Sequence, residues 1–145
     1  MPVSKYDSLK LDNQLCFPLY AASREIIKQY KPFLDEINLT YTQYIAMMVL
    51  WEKRSVTVKE MGTLLYLDSG TLTPLLKKME AKGLLTRTRS TEDERSLNIE
   101  ITEAGEALRE KALAVPKAMA KCSRIGSQDA LALYRILYKI LGREE

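Results

Sequence analysis

The sequence predicts a mainly helical α+β fold with one small β-hairpin, arranged as a winged helix-turn-helix. Three observations within residues 56–102 carry that prediction. Two short stretches with helical apolar spacing follow each other, each behind a capping residue. Gly83 stops the second of them. Two alternating strands of a basic hairpin then come around a polar loop.

Taken in order, residues 1–10 read as a loose arm, and residues 13–37 as a long helix. Leu15, Leu19, Ala22, Ile26, Tyr30 and Phe33 recur along one side of it. Pro18 interrupts the pattern, because it lacks an N–H and its ring clashes with the carbonyl four residues back. The regular helix therefore begins just before Pro18 or kinks there. Either way Cys16 lies at or near a helix start, where unpaired N–H groups and the dipole favour a thiolate. Asn38 is the expected C-cap. Thr40 and Gln43 have capping-box spacing, with Leu39 and Tyr44 as the hydrophobic staple, so a helix is expected over residues 41–52. Its interior is apolar almost all round, which marks a buried helix between the winged unit and the rest.

Thr57 and Glu60 repeat the capping spacing, with Val56 and Met61 as staple. Val58, Met61 and Leu65 mark the buried face of a short helix, and Tyr66 and Leu67 carry the turn. Asp68 or Ser69 caps the next helix, in which Leu72, Leu75, Leu76 and Met79 form one apolar stripe. The opposite side carries Gly70, Pro74, Lys77 and Ala81, flanked by Thr71, Thr73 and Lys78. That face is small, hydroxylated and basic. The major groove of a duplex admits such a helix, and hydroxyls and amides at its start can hold phosphate. Alone, it could equally be an ordinary surface helix.

The strands, residues 84–89 and 96–101, strengthen the nucleic-acid reading. Leu97, Ile99 and Ile101 share one face, Asn98 and Glu100 the other. Residues 75–91 hold five Lys or Arg, Arg87 and Arg89 among them, against one Glu, a bias that the whole-chain charge of +3 conceals. Thr102 then caps a helix to about residue 114, which Pro116 kinks or ends. Cys122 falls in the loop before a last helix over residues 127–141, with Leu131, Tyr134, Leu137, Tyr138 and Leu141 at helical spacing.

The chain reads as a single domain, 1–145. Residues 53–102 form the DNA-binding part, and residues 8–38 and 103–145 a helical dimerisation platform. One winged unit reads a half-site, and such units pair about a twofold axis. The alternative is that the terminal stripes close an intramolecular core. Composition excludes much else. With 46% apolar and 28% charged residues the chain is globular, and its longest apolar run, residues 45–51, is too short to cross a bilayer. Nothing at the N-terminus looks like a signal peptide, so a cytoplasmic chain without a membrane partner is expected. The absence of histidine removes Ser-His-Asp and Cys-His catalysis, and two cysteines do not make a zinc site. No Gly-rich phosphate loop is present. Neither enzymatic activity nor a metal or cofactor is expected.

Two readings of Cys16 stand side by side. A free cysteine is usually a small buried hydrophobe. Against that stand the helix-start position and the nearby Tyr20, Tyr30, Tyr41 and Tyr44, whose hydroxyls can donate to a thiolate.

The stretches LDNQLCFPLYAASREIIKQYKP, LTYTQY and YLDSGTLTPLLKKME resemble the organic-hydroperoxide-sensing repressors of the MarR winged-helix family. DERSLNIEIT is similar to that family's wing signature, with Ile101 in place of a leucine. Pro18 is unusual for the branch. The resemblance runs from Leu11 to Pro116. It implies that Cys16 is the peroxide-reactive thiol, oxidised first to sulfenic acid. It also implies that Tyr30 and Tyr41 hydrogen-bond the thiolate across a homodimer. By the same likeness Arg95 enters the minor groove, Asp93 orients it, and Asp68, Ser69 and Thr71 face the major groove. Thr73, Lys77, Arg87 and Arg89 complete the expected DNA-binding set. Cys122 resembles the second cysteine that resolves the oxidised thiol of the other subunit; the alternative is a mixed disulfide with a small thiol. The implied partners are a pseudo-palindromic double-stranded operator and an organic hydroperoxide as inducer. Two alternatives are weighed: a MarR-like repressor relieved by a small aromatic ligand held between platform and winged unit, and a thiol peroxidase turning over substrate at Cys16.

Overall fold

The computed structural model describes residues 3–90, 92 and 96–143. Among them the chain forms α1 (Cys16–Asp35), α2 (Tyr41–Lys53), β1 (Ser55–Thr57), α3 (Val58–Leu65) and α4 (Ser69–Ala81). Then come β2 (Leu85–Arg89), β3 (Leu97–Ile101), α5 (Glu103–Ala112), α6 (Ala114–Cys122) and α7 (Ser127–Ile140). The expected loose arm instead holds a short 3-10 turn, Asp7–Leu9, with Lys10 paired to Asp7 at 2.6 Å, and a second turn, Leu11–Asn13, lies between the arm and α1.

Helix α1 starts at Cys16, so Pro18 falls in the first turn, where its missing N–H has no helical acceptor to satisfy. Pro32, which the periodicity did not single out, lies inside the helix near its end. The C-cap is Glu36 rather than Asn38, which sits two residues further on in the left-handed region at φ 55°. The Leu39 N–H then donates to the Leu34 carbonyl at 3.1 Å and closes the turn. At the start of α2 both halves of the capping box form. The Gln43 N–H donates to Thr40 Oγ1 at 3.3 Å, and the Thr40 N–H to Gln43 Oε1 at 3.1 Å.

The sheet has three antiparallel strands in the order β1-β3-β2, not two. Val56 opposes Ile99, Leu85 opposes Ile101 and Arg89 opposes Leu97. Strand β1 escaped the sequence reading because three residues show no alternation, and Val56 already served as a staple. Thr57 ends β1 and caps α3, its Oγ1 accepting from the Glu60 N–H at 3.0 Å. Gly83, at φ 77°, lets the Leu84 N–H reach the Met79 carbonyl and its own N–H the Glu80 carbonyl, a Schellman stop for α4.

The expected single helix through residue 114 breaks earlier. Helix α5 ends at Ala112, and α6 begins at Ala114 with Pro116 in its first turn. A proline disfavours helical geometry in the residue before it but fits the opening turn of a new helix. Cys122 is consequently the last residue of α6, not part of a loop.

Helix α2 occupies the centre. Ala46, Met47 and Leu50 are fully buried against Met61 of α3, Leu72, Leu76 and Met79 of α4, and Val56, Leu85 and Ile99 of the sheet. Trp51 Nε1 donates to the Gly105 carbonyl at 2.9 Å, fastening α5 to α2. A Cβ at Gly105 would collide with the Leu84 carbonyl oxygen and come within 2.9 Å of Ile101 Cγ1, so only glycine lets α5 approach the base of the wing. Leu15, Leu19 and Ile26 of the α1 stripe and Leu131, Tyr134 and Leu141 of the α7 stripe are exposed in the single chain, while Tyr30 and Phe33 are half-buried against the core. Leu34 is the buried residue of α1, and α7 has none. Leu15 is 87% exposed and Ile140 65%.

Gly105→Ala is expected to lower stability by about 1–3 kcal/mol, the usual cost of overpacking. Urea unfolding measures it; an unchanged midpoint would contradict the tight approach of α5 to Leu84.

Candidate nucleic-acid interface and thiol site

Asp68 caps α4, its Oδ1 accepting from the Thr71 N–H at 2.7 Å. Hydrogen bonds from the Thr71 backbone and side chain hold its carboxyl below the ordinary value. The cap turns α4 outward so that Ser69, Gly70, Thr71, Thr73, Pro74, Lys77 and Lys78 are all exposed. Thr73 Oγ1 donates to the Ser69 carbonyl at 2.8 Å and keeps its lone pairs for an incoming donor. Behind this face opens a cleft of about 610 Å³, between α3, the start of α4 and β3. Lys59, Thr63, Ser69, Thr73 and Ser96 supply its polar lining. A smaller cleft of about 400 Å³ runs beneath the wing, past Thr57, Thr88, Arg89 and Asn98.

Arg87 is placed differently from Lys77. Its Nε and Nη2 donate to Glu80 Oε1 at 3.3 and 3.1 Å, and its N–H donates to Oε2 at 3.0 Å. The side chain expected to face DNA is thus bound to α4, where it clamps the wing to the recognition helix. These same hydrogen bonds, the side-chain ones first, hold the Glu80 carboxyl below its ordinary value. Arg89 is exposed at the end of β2. Asp93 and Arg95, the expected minor-groove pair, lie outside the described residues.

Cys16, the first residue of α1, is exposed, so the buried-hydrophobe reading does not hold in the single chain. Cys122 is also an exposed free thiol. Tyr30 and Tyr41 gather at the other end of α1, with ring centroids 5.0 Å apart. Tyr44, both the staple of α2 and one of the nearby tyrosines that the sequence offers as donors, joins at 5.9 Å from Tyr30 and 6.4 Å from Tyr41. Burial, and then the neighbouring Tyr30, push the Tyr41 and Tyr44 hydroxyls above the ordinary phenol range, so both remain protonated donors. Fourteen helical residues separate Cys16 from Tyr30, about 21 Å at 1.5 Å per residue. One chain therefore does not bring its own thiol to its own tyrosines. Among the described residues no group of His, Cys, Asp and Glu could hold a metal, and no helix is long and apolar enough to cross a membrane.

Comparison with known proteins places this geometry among regulators. The family profile described as transcriptional regulator SarA/Rot matches residues 28–112. The organic hydroperoxide resistance transcriptional regulator of Bacillus subtilis is 55% identical over 138 residues, covering 95% of this chain and 94% of that protein. Among solved structures the chain is similar to AbfR of Staphylococcus epidermidis. Reduced AbfR bound to DNA aligns with a TM-score of 0.77 at 34% identity, over 96% of this chain and 97% of that one. Disulfide-formed AbfR aligns with a TM-score of 0.65 at 35% identity, over 94% and 96%.

The Glu80–Arg87 clamp has a pH signature. A carboxyl held below its ordinary value stabilises the fold above that value and loses the contribution as pH falls through the folded one. The stability gap between the parent and Glu80→Gln is expected to be full at about pH 7 and to close towards about pH 3. Thermal midpoints across that range test it; a gap independent of pH would contradict the clamp.

Proposed function

Because this chain belongs to the MarR-family winged-helix transcriptional regulators, in the branch of the organic hydroperoxide resistance regulators, we propose that it is a repressor whose reduced dimer holds a pseudo-palindromic operator and lets go when an organic hydroperoxide oxidises Cys16. The observation that carries this reading is the layout of α1. An exposed thiol stands at one end, a cluster of tyrosine donors at the other, and an uncovered apolar stripe between them.

Two copies of α1 packed antiparallel about a twofold axis cover that stripe and carry each Cys16 to the tyrosines of the other chain. There the protonated Tyr41 hydroxyl, with Tyr30, donates to the thiolate and favours its ionised form. The thiolate sulfur attacks the outer oxygen of the hydroperoxide. The O–O bond breaks, sulfur gives up two electrons and becomes a sulfenic acid, and the alkoxide leaves as the alcohol after taking a proton. Cys122 of the partner chain then attacks the sulfenic sulfur, forming a disulfide and releasing water. A bridge requires the two Cα atoms to come within about 7 Å, so closing it moves α6 relative to the other subunit's α1.

On the operator side, Asp68, Ser69, Thr71 and Thr73 present the start of α4 to base edges and phosphate, and Lys77 and Arg89 neutralise backbone charge. For the minor-groove contact the family resemblance implies Arg95, with Asp93 as its partner. Arg87 acts by fixing the wing through Glu80. A disulfide that shifts the equilibrium by about 3 kcal/mol changes operator affinity more than a hundredfold.

Cys16→Ser is expected to bind operator as the parent does and to stay bound in cumene hydroperoxide; its release would end the redox reading. Lys77→Ala is expected to weaken binding to all sequences alike and to reduce the salt slope by about one. A loss confined to one base position would show that Lys77 reads sequence instead.

A further inference from the structure

The sensing end of the molecule and the operator-reading helix are joined by a polar tie. Lys82 is the C-cap of α4, where the carbonyls left unpaired at a helix end favour a cation. Its ammonium does not turn back onto them. Instead Lys82 Nζ donates to the Asn38 carbonyl at 2.7 Å and to Gln43 Oε1 at 2.9 Å. Both acceptors belong to the elbow between α1 and α2, 44 and 39 residues away in sequence.

The elbow is sharply defined. Asn38 is in the left-handed region, and Leu39 is 4% exposed. Gln43 is 3% exposed, and its Oε1 already accepts from the Thr40 N–H that opens α2. Lys82 thus binds the second acceptor position of a buried amide that also sets where α2 begins. Tyr41 is the first residue of α2, and Tyr44 stands one turn on, with Tyr30 against both. A small rotation of the elbow therefore moves the tyrosine cluster and the anchor of Lys82 together. The C-terminal end of α4 has to follow or release its tie.

Resting on the redox reading above, we propose that Lys82 is the positioning residue that couples the oxidation state of Cys16 to the orientation of α4. In the reduced dimer the tyrosines are held by the partner's thiolate, the elbow is at rest, and the tie through Lys82 leaves α4 in the pose that core packing already gives it. Once sulfur is oxidised the thiolate is gone, the tyrosines lose their acceptor, and the elbow's shift reaches α4 through the ammonium.

The test is operator affinity of reduced and oxidised protein, for the parent, Lys82→Met and Lys82→Arg, with Cys16 oxidation followed by intact mass. Lys82→Met keeps the stem and removes the three donors. It is expected to bind operator within about threefold of the parent when reduced, since Lys82 lies outside the groove-facing positions. Its Cys16 should oxidise as in the parent, yet the ratio of oxidised to reduced Kd should fall at least about tenfold, the loss of one tenfold coupling step. Lys82→Arg should restore part of the ratio. If Lys82→Met is released by the parent's factor, or loses affinity equally in both states, Lys82 is only a structural tie and the proposal fails. If the parent itself keeps its operator with Cys16 oxidised, the redox reading fails and takes this coupling with it.

Discussion

The distance between the two ends of one helix governs this molecule. The 20-residue α1 holds Cys16 about 21 Å from Tyr30, and no rotamer of either side chain spans the gap. Helix geometry thus keeps Cys16 from forming a site with Tyr30, Tyr41 and Tyr44 within a single chain. It allows one when two chains pair. The same helix carries the uncovered apolar stripe that the proposed pairing would bury, so in that dimer assembly and reactivity share one surface.

Everything else in the fold serves to hold that helix in a fixed relation to the recognition helix. The tyrosine end of α1 leans on α2, the central helix against which the winged unit packs. Trp51 binds the Gly105 carbonyl and fixes α5 to the same helix, while Glu80 and Arg87 fix the wing to α4. A close-packed interior of this kind shifts between discrete arrangements rather than bending gradually. A change at a surface thiol can then reach a groove-binding surface made of other residues.

Much of this was legible in the sequence because it is local. Thr40, Thr57, Asp68 and Thr102 announce helix starts within four residues, and the stripe of α4 and the stop at Gly83 need only one helix to be understood. Shorter or longer-range features were not legible. Strand β1 is too short to alternate, and α6 hid behind a proline that ordinarily ends helices. Arg87 looked like a groove cation because nothing nearby in sequence says that Glu80, seven residues back, will fold onto it. Lys82 reaches across 39 residues or more, and no local pattern marks such a bond. The exposed Cys16 is legible as a helix-start thiol, but the tyrosines proposed to complete its site lie on a second copy, which no pattern within one chain marks.

A mixed dimer shows whether the thiol site is shared between two chains. One subunit carries Cys16→Ser, and the other carries Tyr30→Phe with Tyr41→Phe. The remaining Cys16 then sits in the chain that lacks tyrosine hydroxyls, facing a partner that has them. If the site is shared, this thiol reacts with organic hydroperoxide at the parent rate, while the homodimer of the tyrosine-deficient chain reacts slowly. A mixed dimer as slow as that homodimer would contradict a shared site.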